Sequence, residues 1–400
     1  MFDQTEVVHQ RIAKVFAVQS IATGTGRDFF VYRFTGKLYS EDSESAYEHL
    51  KTSMSTFGLT PLFRLEDGGQ VIYIVKEPPK FKIGTPVVNL VLFGLTLISV
   101  MISGVIFSYQ GPNGSDPLTL LKYMLSHLTD GLPFAISLLA ILSAHEFGHY
   151  FAGRFHHTRV TLPYFIPFPF SAFGTMGAFI QMKETPRNRN HLLDIGLAGP
   201  IAGFVVAVPV LLLGLSLSNI SPIPVSFPAG QGLQIEGNSI IYLLLKYISF
   251  GKLLPEPAVM GGISPVLYWI KYFFTGQPLP LGGSDVILHP VAWAGWAGIL
   301  VTSLNLIPAG QLDGGHIFYV LFDRVWARRI LPVIIAILAG LGFIWNGWWL
   351  WVVLILLFGR AYAEPLDQIT PLDKKRKILG VLALILFFLV FTPVPLILIG

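Results

Sequence analysis

The stretch GLPFAISLLAILSAHEFGHYFAG, Gly131 to Gly153, decides how the whole chain is read. At about 1.5 Å per residue it is long enough to cross the hydrocarbon of a bilayer. Yet it carries His145, Glu146 and His149 inside the apolar run. An ionisable residue at bilayer depth costs at least about 2.5 kcal/mol on insertion scales, so three within one helical turn need a partner. Histidines at i and i+4 share one helix face, about 5 to 6 Å apart, and both imidazoles can reach one metal ion. The glutamate between them can act as general base toward water. Chance is expected to produce this pattern roughly 0.007 times in a chain of this composition. The alternative is a pair of histidines satisfied by hydrogen bonds within a helix bundle.

The rest of the chain agrees that the setting is a membrane. Of 400 residues 53% are hydrophobic and 12% charged, against roughly 25% charged in a soluble domain. The mean hydropathy is +0.63. Collagen, disordered and nucleic-acid-binding classes fall away, and no nucleic-acid partner is expected. The absence of cysteine excludes disulfides, thiolate metal sites and cysteine nucleophiles, so any metal must be held by nitrogen and oxygen.

The expected fold is a polytopic helical membrane bundle of about six to seven spans, with a re-entrant hairpin-like loop and a small N-terminal soluble α+β domain. Residues 1–83 hold 10 of the 27 basic residues and no long apolar run. Within them Lys14 to Ser20, Phe29 to Phe34, Leu59 to Arg64 and Gln70 to Val75 read as strands, and Glu44 to Phe57 as a helix. Asp67-Gly68-Gly69 is a hairpin signal. Residues 84–325 are expected to form a transmembrane core that holds these residues, and 326–400 the C-terminal membrane segments. Spans are expected near Thr85 to Phe107, Gly131 to Gly153, Leu192 to Leu217, Val291 to Ile317 and Ile378 to Ile399. Ile330 to Gly359 reads as a hairpin turning at Asn346-Gly347 or as a single tilted span. Thirteen Lys and Arg fall on one set of loops and four on the other, which places the N-terminal domain in the cytoplasm. Ile240 to Phe250 and Pro265 to Phe274, on the outer side, read as interfacial helices.

A catalytic zinc site takes three protein ligands and keeps one position open. Asn305 to His316, NLIPAGQLDGGH, offers the third. Asp313 is the only acid between Val286 and Phe322, and Pro308 and Gly310 should break the helix there, which is tolerated where backbone lines a cavity or packs on protein. Two other readings stay open, a turn aspartate at the surface and His316 as the ligand. Pro163 to Lys183 is apolar but proline-broken, then alternates from Phe173 to Met182. A hairpin with a free edge could pair with an extended peptide by strand addition, which makes Gly174, Thr175, Met176 and Gly177 candidates for contact with substrate; a hydrophobic surface loop is the alternative. Ala198 to Gly203 reads as a packing surface of small residues. His156, His157, His191 and His289 read as interfacial, and Trp345, Trp348, Trp349 and Trp351 as an interface belt.

These motifs together resemble the site-2 protease family of intramembrane zinc metalloproteases. Asn-x-x-Pro-x-x-x-Leu-Asp-Gly at Asn305 to Gly314 is the most specific of them. Pro163 to Gly203, with Phe-Gly-Thr-Met-Gly-Ala and Gly-Pro, is similar to the subgroup of plant chloroplast proteases and their cyanobacterial and other bacterial relatives. The resemblance covers about residues 85 to 359. It implies one zinc ion on His145, His149 and Asp313, Glu146 as general base, and Asn305 contacting substrate or steadying the tetrahedral intermediate. It also implies membrane-spanning protein substrates, usually trimmed first by another protease, in a protein embedded in membrane lipid.

Other classes remain as alternatives: an inactive zinc-binding scaffold of the same fold, a prenyl-protein-type metallopeptidase, and a metal transporter. The intact Glu146 argues against the first. The second typically takes a glutamate ligand, and the only late candidate is Glu364. A transporter should carry ionisable groups through both leaflets, and one of inverted-repeat type should show two matching halves. The first residues, MFDQTEV, have neither a secretory h-region nor transit-peptide character, which favours a prokaryotic plasma membrane over a plastid.

Overall fold

The computed structural model describes residues 4–25, 27–66, 68–77, 84–108, 117–227, 232–260 and 262–399. Asp67 of the hairpin signal and Pro78-Pro79, which read from the sequence as the linker between the N-terminal domain and the first span, lie outside them. The described residues are mostly helical, and four helices among them are long and apolar enough to cross a membrane.

The N-terminal region begins with α1 (Gln4–Ile12), for which the sequence reading had no element, then β1 (Phe16–Thr23), β2 (Tyr32–Leu38), α2 (Ser43–Ser55), β3 (Leu59–Glu66) and β4 (Gly69–Lys76). The sheet is antiparallel in the order β1-β2-β4-β3. Asp42 accepts from the Ser45 backbone N–H and caps α2, and Tyr47 of α2 packs edge-on against Phe63 of β3. The edge of β3 does not end the sheet. The Phe63 N–H donates to Leu366 at 2.9 Å and Gln368 N–H donates back to Phe63 at 3.1 Å. Leu366 and Asp367 in turn donate to Pro186 and Arg187 at 3.0 and 2.7 Å.

The first apolar helix is α3 (Pro86–Phe107), followed by α4 (Pro117–Ser126) and α5 (Leu132–Phe155). Proline in the first turn of α3 and α5 occupies a position whose N–H has no helical partner in any case. β5 (Tyr164–Pro167) and β6 (Thr175–Phe179) form an antiparallel hairpin. It is fastened to α3: Ser99 Oγ donates to the Gly174 carbonyl at 2.6 Å and Asn89 donates to Leu162 and Pro163. Gly174 has φ +72°, and a Cβ there would lie 2.5 Å from the Ser99 carbonyl, so only glycine fits.

α6 (Arg189–Ser216) is capped by Asn188. It packs against α5 and against α9 (Pro290–Asn305) through glycines. A Cβ on Gly148 would meet the Ala198 carbonyl at 2.4 Å, and one on Gly295 would meet Leu211 Cα at 2.6 Å. Small residues let the backbones close up where lipid tails offer no hydrophobic drive. Nearly every side chain of α9 from Val291 to Ser303 is buried.

Between α6 and α9 lie β7 (Asn219–Pro222), β8 (Leu233–Glu236), α7 (Ile240–Phe250), α8 (Pro265–Thr275) and β9 (Ser284–Ile287). β7 pairs with β9, and β8 with β10 (Leu396–Ile399) from the end of the chain. The face of α7 is the reverse of a water-facing one: Lys246 is fully buried while Ile240, Leu244 and Ile248 are exposed.

Two expected spans have other bounds, and the Ile330 to Gly359 stretch takes the first of its two readings, two helices with the turn before Gly347. Val291 to Ile317 is not one helix, because α9 stops at Asn305 and α10 (Asp313–Gly342) starts after a turn in which Gly310 takes φ +57°. α10 runs on through residue 325, where the sequence reading divided core from C-terminal segments, with a kink at Asp323. Two helices, α10 and α11 (Gly347–Phe358), occupy the Ile330 to Gly359 stretch. The last stretch is helical only as α12 (Lys374–Val390), beyond which the chain turns into β10. Trp348, expected in an interface belt, is fully buried and donates to the Pro393 carbonyl at 2.7 Å.

Candidate metal centre

α5 sets His145 and His149 one turn apart, and both are buried. Their neighbours are fixed by α6. His149 Nδ1 lies 2.7 Å from the Ile195 carbonyl. That carbonyl can only accept, so the proton sits on Nδ1 and Nε2 presents a lone pair, the arrangement by which a second partner orients a metal-binding imidazole. Gly199 and Gly203 face the two rings. A Cβ at Gly199 would fall 2.0 Å from His149 Nε2, and one at Gly203 would fall 3.1 Å from His145 Nδ1. Because the helices run antiparallel, the four-residue spacing of the glycines matches that of the histidines in reverse.

Asp313 comes from the first turn of α10. Its Oδ2 is 3.3 Å from Nε2 of both histidines, and the two Nε2 atoms are 3.2 Å apart. A tetrahedral zinc with bonds of about 2.0 to 2.1 Å separates its ligand atoms by roughly 3.3 Å. The triangle therefore has the size of one face of that polyhedron, and its nitrogen and oxygen donors suit the same metal. The residues fit a zinc ion. Three ligands would leave a fourth position for a reacting oxygen.

Asn305, the last residue of α9, brings Nδ2 within 3.2 Å of His145 Nε2. Glu146 is buried beside the histidines, and its carboxylate interacts with the backbone of Ile180, directly after β6. The hairpin thus reaches the centre from one end. At the other, Thr175 donates to the Ile166 carbonyl at 2.8 Å and Met176 is 69% exposed. Gly174 and Gly177, both with positive φ, shape the turn into the strand. His316, weighed above as a ligand, is outside the cluster of converging atoms. His156 bonds Asp194 and stacks on His191 at 4.0 Å instead of facing an interface.

Sequence reasoning missed the part played by Gly199, Gly203 and the Ile195 carbonyl. The signal was in the small-residue run Ala198 to Gly203, read above as packing alone.

Fold and site together define a polytopic membrane protein with a buried two-histidine, one-aspartate ligand set. Residues 133–345 match the model of peptidase family M50. Similar curated proteins include the probable zinc metalloprotease EGY2, chloroplastic, of Arabidopsis thaliana, 30% identical over 90% of this chain and 60% of its own length. Another is the probable zinc metalloprotease EGY1, chloroplastic, of Oryza sativa subsp. japonica, 27% identical over 80% of this chain and 52% of its own length. No solved structure matches significantly. The chain belongs to peptidase family M50, the site-2 protease family. It spans only 60% and 52% of the length of those two relatives. Their names place them in chloroplasts, which lends no support to a prokaryotic plasma membrane.

Proposed function

We propose that the chain is an intramembrane zinc endopeptidase that hydrolyses peptide bonds of membrane-spanning substrates. The observation that carries this reading is the triangle of His145 Nε2, His149 Nε2 and Asp313 Oδ2, with sides of 3.2 to 3.3 Å. When bound there, zinc supplies Lewis-acid polarisation of the scissile carbonyl and lowers the pKa of water toward roughly 7. Glu146 takes the proton of the attacking water and hands it to the leaving nitrogen. Its burial keeps the carboxylate away from bulk water, and Ile180 limits its swing. Asn305 stands beside the ligands as a donor toward the oxygen of the tetrahedral intermediate. The exposed edge of the β5–β6 hairpin would hold the unwound substrate as an added strand, with Gly174, Thr175, Met176 and Gly177 along its path.

For the architecture we count seven crossings: α3, α5, α6, α9 with the first turns of α10, the remainder of α10 beyond Asp323, α11 and α12. Residues 1–83 then lie as a module on the side of the basic loops, the cytoplasmic one. The pairing of β10 with β8 supports this count, since it brings the last strand to the side on which α6 ends. Substrates are taken to be trimmed by another protease first, because a buried centre admits little bulk.

The test pairs zinc content with cleavage of a model transmembrane peptide, for the wild type and Glu146→Gln. Zinc in both with cleavage only in the wild type supports the reading. Zinc in both with equal cleavage removes Glu146 from its role, and no cleavage by either favours a zinc-binding scaffold.

A further inference from the structure

Beyond its kink at Asp323, α10 continues as Arg324-Val325-Trp326-Ala327-Arg328-Arg329, exposed except for the buried Ala327. The chain leaving α11 returns to this turn. The Tyr362 hydroxyl donates to the Ala327 carbonyl at 3.0 Å, and a Cβ on Gly359 would fall 2.9 Å from Leu331 Cδ1. Arg360, exposed and set between those two contacts, therefore belongs to the same end of the α10–α11 pair.

Four arginines gather here, and among the described residues only Arg324 has an acid, Glu364 at 2.6 Å. Arg328, Arg329 and Arg360 have neither an ion pair nor a hydrogen bond among the described residues. Arg329 lies instead over the Trp326 ring, 5.4 Å from its centroid. Four other arginines of the basic loops are taken up by carboxylates: Arg159 by Glu184, Arg187 by Glu48, Arg189 by Asp323 and Arg376 by Asp194. Orientation in a membrane needs only a count of Lys and Arg on one side; it asks for no convergence. Like charges gathered at one place repel, and an anion among them relieves the repulsion.

The surface beside these arginines is apolar. Val325 and Trp326 are 58% and 57% exposed. Exposed apolar side chains run on from them, through Val333 and Ile337 along α10 and through Leu357 and Leu350 along α11. A soluble anion has no use for that surface. A phospholipid offers phosphate at the level of the guanidinium groups and acyl chains beside the helices. An indole with a guanidinium over its face suits the boundary between the two.

We propose that this end of the α10–α11 pair seats an anionic phospholipid, its phosphate held by Arg328, Arg329 and Arg360 and its first acyl carbons against Trp326 and Val325. The planar fork of arginine matches phosphate oxygens in a way that the point charge of lysine does not. The seat lies on the helix whose first turn carries Asp313, and Arg189 ties the intervening kink to α6. A bound headgroup thus fixes the part of α10 beyond the kink without touching the metal centre. The proposal rests on the membrane setting of the chain and not on its being a peptidase.

The test places the full chain in nanodiscs of phosphatidylcholine that carry a small fraction of brominated phosphatidylglycerol, and reads tryptophan quenching. The chain has eight tryptophans, so the signal of Trp326 is the difference between the wild type and Trp326→Phe. Brominated phosphatidylglycerol should quench that difference more than brominated phosphatidylcholine does. Arg328→Gln and Arg360→Gln should each reduce the preference by up to about fivefold, as for one basic group lost beside an anionic lipid surface. Both side chains are exposed, so neither change disturbs the core. Lys374→Gln with Lys375→Gln removes as much charge from the start of α12 and should leave the preference unchanged. A difference signal that neither lipid quenches, equal quenching by the two lipids, or an equal loss from the lysine pair overturns the proposal. So does displacement of the brominated phosphatidylglycerol by glycerol phosphate, which would make this a seat for a soluble anion.

Discussion

At one end of α9 stand His145, His149 and Asp313; toward the other stand Glu236, Lys246 and Asp285. Both are buried sets of three ionisable groups, and they are built differently. In the first, three ligand atoms converge to equal separations of 3.2 to 3.3 Å, with glycines where side chains would interfere. In the second, the ammonium lies 3.5 and 4.0 Å from its acids, over the Tyr242 ring at 4.4 Å, as partial neutralisation requires. Convergence of lone pairs marks a place that suits a metal ion. Opposite charges at unequal distances mark a structural pair, Lys246 with Glu236, beside a second carboxyl, Asp285, that burial pushes toward its protonated form.

Removing the proton carrier should have the largest effect. Glu146→Gln is expected to lower peptide cleavage by about 10² to 10⁴-fold with zinc content unchanged, as single-turnover assays and elemental analysis would show. Taking away a ligand should separate the two sets: His149→Ala should weaken zinc binding by more than about 100-fold, beyond the loss typical of outer-sphere changes, and leave the fold near Lys246 intact. The converse is Lys246→Met, which strands two buried carboxylates and should cost about 3 to 5 kcal/mol of stability. Thermal unfolding would reveal it, with recovery when Glu236→Gln and Asp285→Asn are added. If Lys246→Met is neutral, the second set is not a structural pair.

Smaller effects sharpen the contrast. Gly199→Ala must push His149 or part the helices and should cost about 1 to 3 kcal/mol, the range for overpacked cores, together with some zinc occupancy. The smallest expected effect is on pH dependence. Burial raises the Asp285 carboxyl above the ordinary carboxylate range, against the pull of Lys246. The groups facing it are Glu236, Lys246, Tyr242 and Tyr272. A raised acid is protonated in the fold where the unfolded chain has already lost its proton. Its contribution is therefore full below the ordinary range and is lost as pH rises through the raised value. Protection factors of the β8 and β9 amides, taken relative to the intrinsic base-catalysed exchange rate at each pH, should be larger in mildly acidic than in alkaline buffer, and Asp285→Asn should flatten that trend.

The metal end was legible because its information is local. Two histidines one turn apart share a face in any helix, and Asp313 stands in a motif whose proline and glycine announce the broken backbone around it. The other end was not, since residues 236, 246 and 285 come from separate elements and no short spacing connects them. Lys246 lies in the stretch Ile240 to Phe250 that reads as an interfacial helix, as hydropathy cannot tell a lysine at an interface from one folded inward against acids. The same limit hid the break between α9 and α10, where a continuous apolar profile covers two helices. Gly199 and Gly203 were visible as small residues, but what they make room for depends on the helix opposite.

The segment 366–368 bridges β3 and residues 186–188 through single β-bridges at Asp367. Arg64 ties it further by donating to the carbonyls of Pro365 and Leu366. A nick in the linker would therefore not free the N-terminal module, which stays stitched to the base of α6. Deleting that module would instead lay bare a strand edge and the buried Asp367, giving a truncated protein that sticks to its own copies.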